Sequence, residues 1–213
     1  MRHLKTGSGF TLTALVVTMA VLAILVTLAT PSFTSIMNNN RLTSNANEML
    51  TTLQSARMEA VRRNARVVIC RNDTPDTATA CNTGAGAWLG WMASVDNGGT
   101  VLNANGTVAT AGTGTAQNGI REGNELVLSV GTFTAPSVLQ ASPVISGGNQ
   151  RIRLSPDGLA YSDAGNLLNA QFSFCVVTTQ PPENTRLITI GSGSRMSISR
   201  VDGGGLCNAP LDS

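Results

Sequence analysis

Gly9-Phe10-Thr11-Leu12-Thr13-Ala14-Leu15-Val16-Val17-Thr18-Met19-Ala20, continuing without a charge to Ala29, is the stretch that decides the fold. Twenty residues at about 1.5 Å rise span about 30 Å, the hydrocarbon thickness of a bilayer. The leader Met1–Gly9 before it carries Arg2 and Lys5. A secretory signal places its small-residue cleavage site after its apolar core. Here the small-residue break precedes that core, so a cut after Gly9 leaves the hydrophobic helix on the mature chain as an anchor or assembly device. Arg2 and Lys5 read as positive-inside signals, with the leader cytoplasmic and the C-terminal bulk outside.

Working outward, Phe10 to about Asn38 reads as one apolar-to-amphipathic helix that Pro31 is expected to bend or loosen. Asn38-Asn39-Asn40 reads as the polar transition out of the membrane. From Arg41, Leu42, Ala46, Met49, Leu50, Leu53, Ala56, Ala60 and Val61 recur at helical spacing and predict a helix over 41–64 with one buried stripe. After Asn64 the pattern turns to strands: Arg66–Arg71, Trp88–Val95, Glu125–Val130, Gln150–Leu154, Gln171–Val177, Arg186–Ile190 and Met196–Val201. Residues 97–119 carry no charge and are rich in Gly, Thr, Ala and Asn, which predicts a long surface loop or loose hairpin. The fold class is therefore α+β: a long N-terminal helix packed on antiparallel sheet. The expected parts are a leader (1–9), a transmembrane or filament-core helix (10–38) and a globular domain (39–213).

Composition narrows the chemistry. The single histidine, His3, lies in the leader, which excludes His-based acid–base catalysis or a His zinc site from the mature chain. Gly191-Ser192-Gly193-Ser194 lies between strand-like runs and lacks a Walker lysine, so it reads as a turn. Asp96-Asn97-Gly98 lacks calcium-loop spacing. No enzyme, metal or cofactor is expected. Cys70, Cys81, Cys175 and Cys207 form an even set in the exported part, which favours disulfides. Three connectivities exist. The sequence-local one, Cys70–Cys81 with Cys175–Cys207, is expected because each pair brackets a turn-rich stretch.

The Gly9–Phe10 junction, Pro31, the run from Leu53 to Asn64, and Val67-Val68-Ile69-Cys70 with Trp88-Leu89-Gly90-Trp91 resemble the type IV prepilins and pseudopilins of the FimT/FimU/GspH branch. The resemblance is dense over 9–91 and thins afterwards. It implies that a prepilin peptidase cuts between Gly9 and Phe10 and methylates the new Phe10 amine. It also implies an inner-membrane protein with a periplasmic domain, whose partners are other pilin or pseudopilin subunits. The implied role is a minor subunit for pilus assembly or priming, with a type II secretion pseudopilin as the alternative. The family pattern carries Glu at the fifth mature position, where this chain has Ala14; that departure implies a tip-proximal or low-copy subunit.

Charge is segregated. Residues 41–71 hold six Arg against Glu48 and Glu59, a net charge of +4, whereas residues 72–213 hold six Arg against ten acids, a net −4. Helix capping and ion pairing account for the basic end, with Arg62, Arg63 and Arg66 complementing the helix dipole. The alternative is an anionic partner such as DNA phosphate. Some FimT-type pilins bind DNA through a Gly-Arg-x-Arg motif, and Gly193-Ser194-Arg195 through Arg200 is similar but differently spaced. Arg195 and Arg200, with Arg186 expected across the turn from Arg195, are the residues a DNA-binding minor pilin would use.

Overall fold

The computed structural model of the chain describes residues 11–74, 81–99, 101–102, 108–110, 114–116, 118, 121, 125–133 and 135–213. Gly9 and Phe10 lie outside the described residues. Helix α1 (Leu12–Arg63) runs unbroken for 52 residues. Thr11 caps its start, its hydroxyl accepting from the Ala14 amide at 3.4 Å. At the far end Asn64 adopts the left-handed conformation (φ 49°, ψ 39°) and its N–H returns to the Ala60 and Val61 carbonyls. The backbone passes helically through Pro31, whose side chain lies outside the described part. Asn38–Asn40 is also helical, so the polar triad does not separate two helices.

The stripe Leu42, Ala46, Met49, Leu53, Ala56 and Ala60, spaced four and three residues apart, is buried to 1% exposure or less. Val61, expected in that stripe, is 52% exposed. It lies in the last turn beside Gly158, where the sheet no longer covers the helix on that side.

The strands are β1 (Arg66–Arg71), β2 (Gly90–Asp96), β3 (Val101–Leu102), β4 (Val108–Thr110), β5 (Val127–Thr132), β6 (Ser137–Ala141), β7 (Arg151–Leu154), β8 (Ala160–Tyr161), β9 (Ala170–Val176), β10 (Thr185–Gly191) and β11 (Arg195–Val201). A short helix α2 (Pro143–Ser146) follows β6. One sheet has the order β5-β2-β1-β7-β8, a second β11-β10-β9-β6, and β3-β4 is a small hairpin. All described pairings are antiparallel. Strand β6 was not predicted: its five residues lie between Pro136 and Pro143, too short a run to show alternation.

Helix α1 packs on both sheets, and the sheets meet where the Trp88 amide donates to the Leu139 carbonyl at 2.9 Å. Trp88 thus precedes β2 instead of starting it. Its indole donates to Gln150 Oε1 at 2.8 Å, and that of Trp91 to Thr52 Oγ1 at 3.1 Å, so both large rings are buried with their N–H groups satisfied. Gly131 lies flat on the Trp91 ring, where a Cβ would come within 2.0 Å of Cε2. Disulfides join Cys70 to Cys81 and Cys175 to Cys207. The second holds a C-terminal strap that is also tied by Gln140 Nε2 to the Cys207 carbonyl, the Val144 amide to Asp212, and the Ser213 hydroxyl to the Ile190 carbonyl.

Candidate functional site

Helix α1 changes character along its length. From Leu12 to Val26 its large apolar side chains are all exposed, Leu12 by 78% and Leu22 by 63%, whereas the stripe beyond Arg41 is fully covered. Isolated in water, such a surface would be strongly unfavourable; in lipid or against other helices it is not. The hydroxyls in this half are compatible with either setting. Thr18 donates to the Leu15 carbonyl and Thr27 to the Ile24 carbonyl, both at 2.8 Å, so their O–H groups need no water. Ala14 lies one turn inside this segment and brings no charge to it.

The junction between the exposed and buried halves is built from polar groups. Asn38 Nδ2 donates to the Gln180 carbonyl at 3.1 Å. Arg186, on β10, is 1% exposed. Its guanidinium donates to Asn39 Oδ1, to Thr43 Oγ1 at 3.4 Å, and to the Glu183 and Thr185 carbonyls at 3.0 and 3.2 Å. Burial and the nearby Arg200 lower its pKa, while Glu183 works the other way. Arg186 therefore clamps the sheet to α1.

That placement corrects the expectation that Arg186 lies across the turn from Arg195. In the β10–β11 register Arg186 faces Arg200, and Arg195 faces Gly191, so Arg186 does not join Arg195 across the turn. Alternation puts Arg186 on the face that carries Ile188 and Ile190 toward the core. Arg195 is exposed on the opposite face, and Arg200 approaches Glu183 at 3.8 Å. The three arginines form no common surface. The sequence could not separate a clamp from a ligand residue, because both are an arginine in a strand.

The basic helix end is internally paired: Arg62 and Arg63 share Glu59 at 2.7 and 2.6 Å. The hydrogen bonds from Arg62 and Arg63 lower the Glu59 pKa. Arg57 donates to the Ser194 carbonyl at 3.1 Å, which ties the β10–β11 turn to the helix. That turn is a single 3-10 turn, Ser192–Ser194. On the five-stranded sheet, Arg151 and Arg153 converge on Asp163 at 2.5 Å each. Burial opposes ionisation of Asp163, but hydrogen bonds from Arg151, Asn149 and Arg153 outweigh it and hold the carboxyl at about 2. Among the described residues, no group of three or more His, Cys, Asp or Glu is placed to hold a metal.

A family model described as type II transport protein GspH matches residues 45–194. The chain belongs to the GspH family. The match covers the buried half of α1 and the sheets through the β10–β11 turn; the exposed apolar half precedes it. GspH-type chains are pilin-like structural subunits, not an enzyme family, and membership implies assembly with other such subunits. Among solved structures, the chain is similar to the type IV minor pilin FimU of Pseudomonas aeruginosa, at 16% identity over 77% of this chain and 92% of that one, with a TM-score of 0.42. It is also similar to the minor pseudopilin EpsH of the Type 2 Secretion System of Vibrio cholerae, at 10% identity over 75% and 97%, with a TM-score of 0.41. At these levels the likeness adds nothing to the GspH assignment. No curated protein matches the chain.

Proposed function

We propose that the chain is a minor pilin-like subunit for pilus assembly or priming, held in the inner membrane by α1 with its domain periplasmic, and later packed by that helix into a filament. The observation that carries this reading is the exposure of every large apolar side chain from Leu12 to Val26 on a helix whose continuation beyond Arg41 buries its apolar stripe from Leu42 to Ala60. Apolar contacts between helices can replace those with lipid in that segment. Residues 1–9 are the leader, 10–38 the anchor and filament-core helix, and 39–213 the periplasmic domain. A prepilin peptidase cuts after Gly9 and methylates Phe10. Ala14 supplies no carboxylate for a neighbouring amine, which favours a tip-proximal or low-copy position. Intact-mass measurement of the chain recovered from membranes tests the processing: an N-methylated Phe10 terminus is expected, and a retained Met1–Gly9 or a cut beyond Ala29 would sink it.

The description of the matched family favours a second reading, a pseudopilin of type II secretion. Deleting the gene separates the two. Loss of surface pili supports the first, and retained pili with exoproteins trapped in the periplasm supports the second.

A further inference from the structure

We propose that the loop between β9 and β10, together with Leu206, is a membrane-surface contact that rests the globular domain on the lipid headgroups; this rests on reading α1 as a membrane anchor. Two exposed apolar side chains mark the site, Val177 (67%) and Leu206 (59%). They lie on separate segments held together. The Cys175–Cys207 bridge sets their neighbours' Cα atoms 5.6 Å apart. Asn184 Nδ2 donates to the Val176 carbonyl at 2.9 Å and the Leu206 carbonyl at 3.2 Å. Gly205 lies so close to the loop that a Cβ would be 3.0 Å from Thr179 Cγ2.

The height of this tip is set by α1. Gln180 accepts from Asn38, and Arg186 joins Glu183 to Asn39 and Thr43, so the loop is fixed to the helix turn that starts at Asn38. Between Lys5 and Arg41 the chain has no charge, and Phe33 and Ile36 are exposed just before Asn38. At about 1.5 Å per residue, Leu12–Asn38 is about 40 Å long, which matches the roughly 40–45 Å of a bilayer with its headgroups. Asn38 then emerges at the outer edge of the headgroups, and the tip bound to it lies on that surface. Its chemistry suits a lipid interface without requiring an anionic one: exposed Thr179, Gln180 and Pro182 are neutral, and Glu183 is offset by Arg200.

The test uses the full chain reconstituted in phosphatidylcholine vesicles with lipids brominated near the headgroup, which quench tryptophan by contact. Native Trp88 and Trp91 are buried and give a constant background. Val177→Trp and Leu206→Trp should each lose emission as brominated lipid is added, with little change between low and high salt. Leu167→Trp should lose none. Leu167 bridges to Tyr161, beside Ala160, which is bonded to Ser194 and through it to Arg57, about 29 Å farther along α1. Val26→Trp, about 18 Å below Asn38 along α1, reports the anchor separately in vesicles whose lipids are brominated near the acyl-chain ends. If it is quenched while Val177→Trp and Leu206→Trp behave like Leu167→Trp, the surface contact is overturned and the anchor reading stands; if Val26→Trp is also unquenched, both fall. A concentration-dependent blue shift at Val177→Trp without lipid quenching assigns the tip to a second copy of the chain and overturns the lipid contact.

Discussion

Arg186 on β10 donates its guanidinium to the side chain of Asn39 on α1, joining sheet and helix at the level where the helix leaves the domain. The cation is buried without a bidentate carboxylate and is held by neutral oxygens from four residues. Removing it strands those acceptors in the interface. Arg186→Ala should therefore destabilise the full chain in detergent by about 3 kcal/mol, read from urea denaturation. Arg186→Lys should recover little, because a single ammonium cannot reach the same set of acceptors. A DNA-contact residue on the surface would show the opposite pattern, with unchanged stability.

Trp91 and Gly131 give a steric prediction. A Cβ at 131 would overlap the indole, and Trp91 is also stacked near Phe133 and edge-on to Phe174, so it has no room to retreat. Gly131→Ala should cost about 3 kcal/mol, at the upper end of overpacking penalties. Thermal unfolding compared with Leu126→Ala, an exposed site just before β5, checks it; equal melting temperatures would contradict the close approach.

The two bridges close loops of different length, with sequence separations of 11 and 32. Loop-closure entropy gives about 3 kcal/mol for the shorter and about 4 kcal/mol for the longer. Cys175→Ser with Cys207→Ser should accordingly be more destabilising than the other double substitution. It should also free the strap after Gly203, visible as faster amide exchange from Leu206 onward.

Asp163 gives a pH dependence. Its folded pKa is held below the unfolded value, at about 2 against 3.8. Its contribution is thus fully present above about pH 5 and is lost as the pH falls through 4 toward 2. Urea midpoints measured from pH 7 to pH 2 should drop over that window. In Asp163→Asn the drop should be smaller, because this group no longer titrates.

Much of the fold was legible in the sequence because its strongest signals are periodic. The stripe Leu42 to Ala60 and the strand-like runs from Arg66 onward each repeat with one period over enough residues to be unambiguous. Thr52 was not legible as a core residue: it is buried because the Trp91 indole needs an acceptor there, and no local pattern records a partner 39 residues away. Strand β6 was missed because it is short and bracketed by prolines. The Asn38–Asn40 triad reads as a polar transition from its polarity alone; it is helical, and Gln180 and Arg186, distant in sequence, partner the side chains of Asn38 and Asn39. The same long-range pairing moved Arg186 from a candidate surface site to the interior. The exposed half of α1 was fully legible, since a charge-free run states its need for an apolar neighbour without reference to any other residue.

The central claim is that Leu12–Val26 stays uncovered by its own domain so that other pilin-like subunits can cover it. The most direct measurement places a photocrosslinking side chain at Leu22 in the full chain and compares membranes with sheared filaments. The account predicts lipid adducts in membranes and adducts with other pilin-like subunits in filaments. Adducts that join Leu22 to the chain's own β-domain in both samples would contradict it.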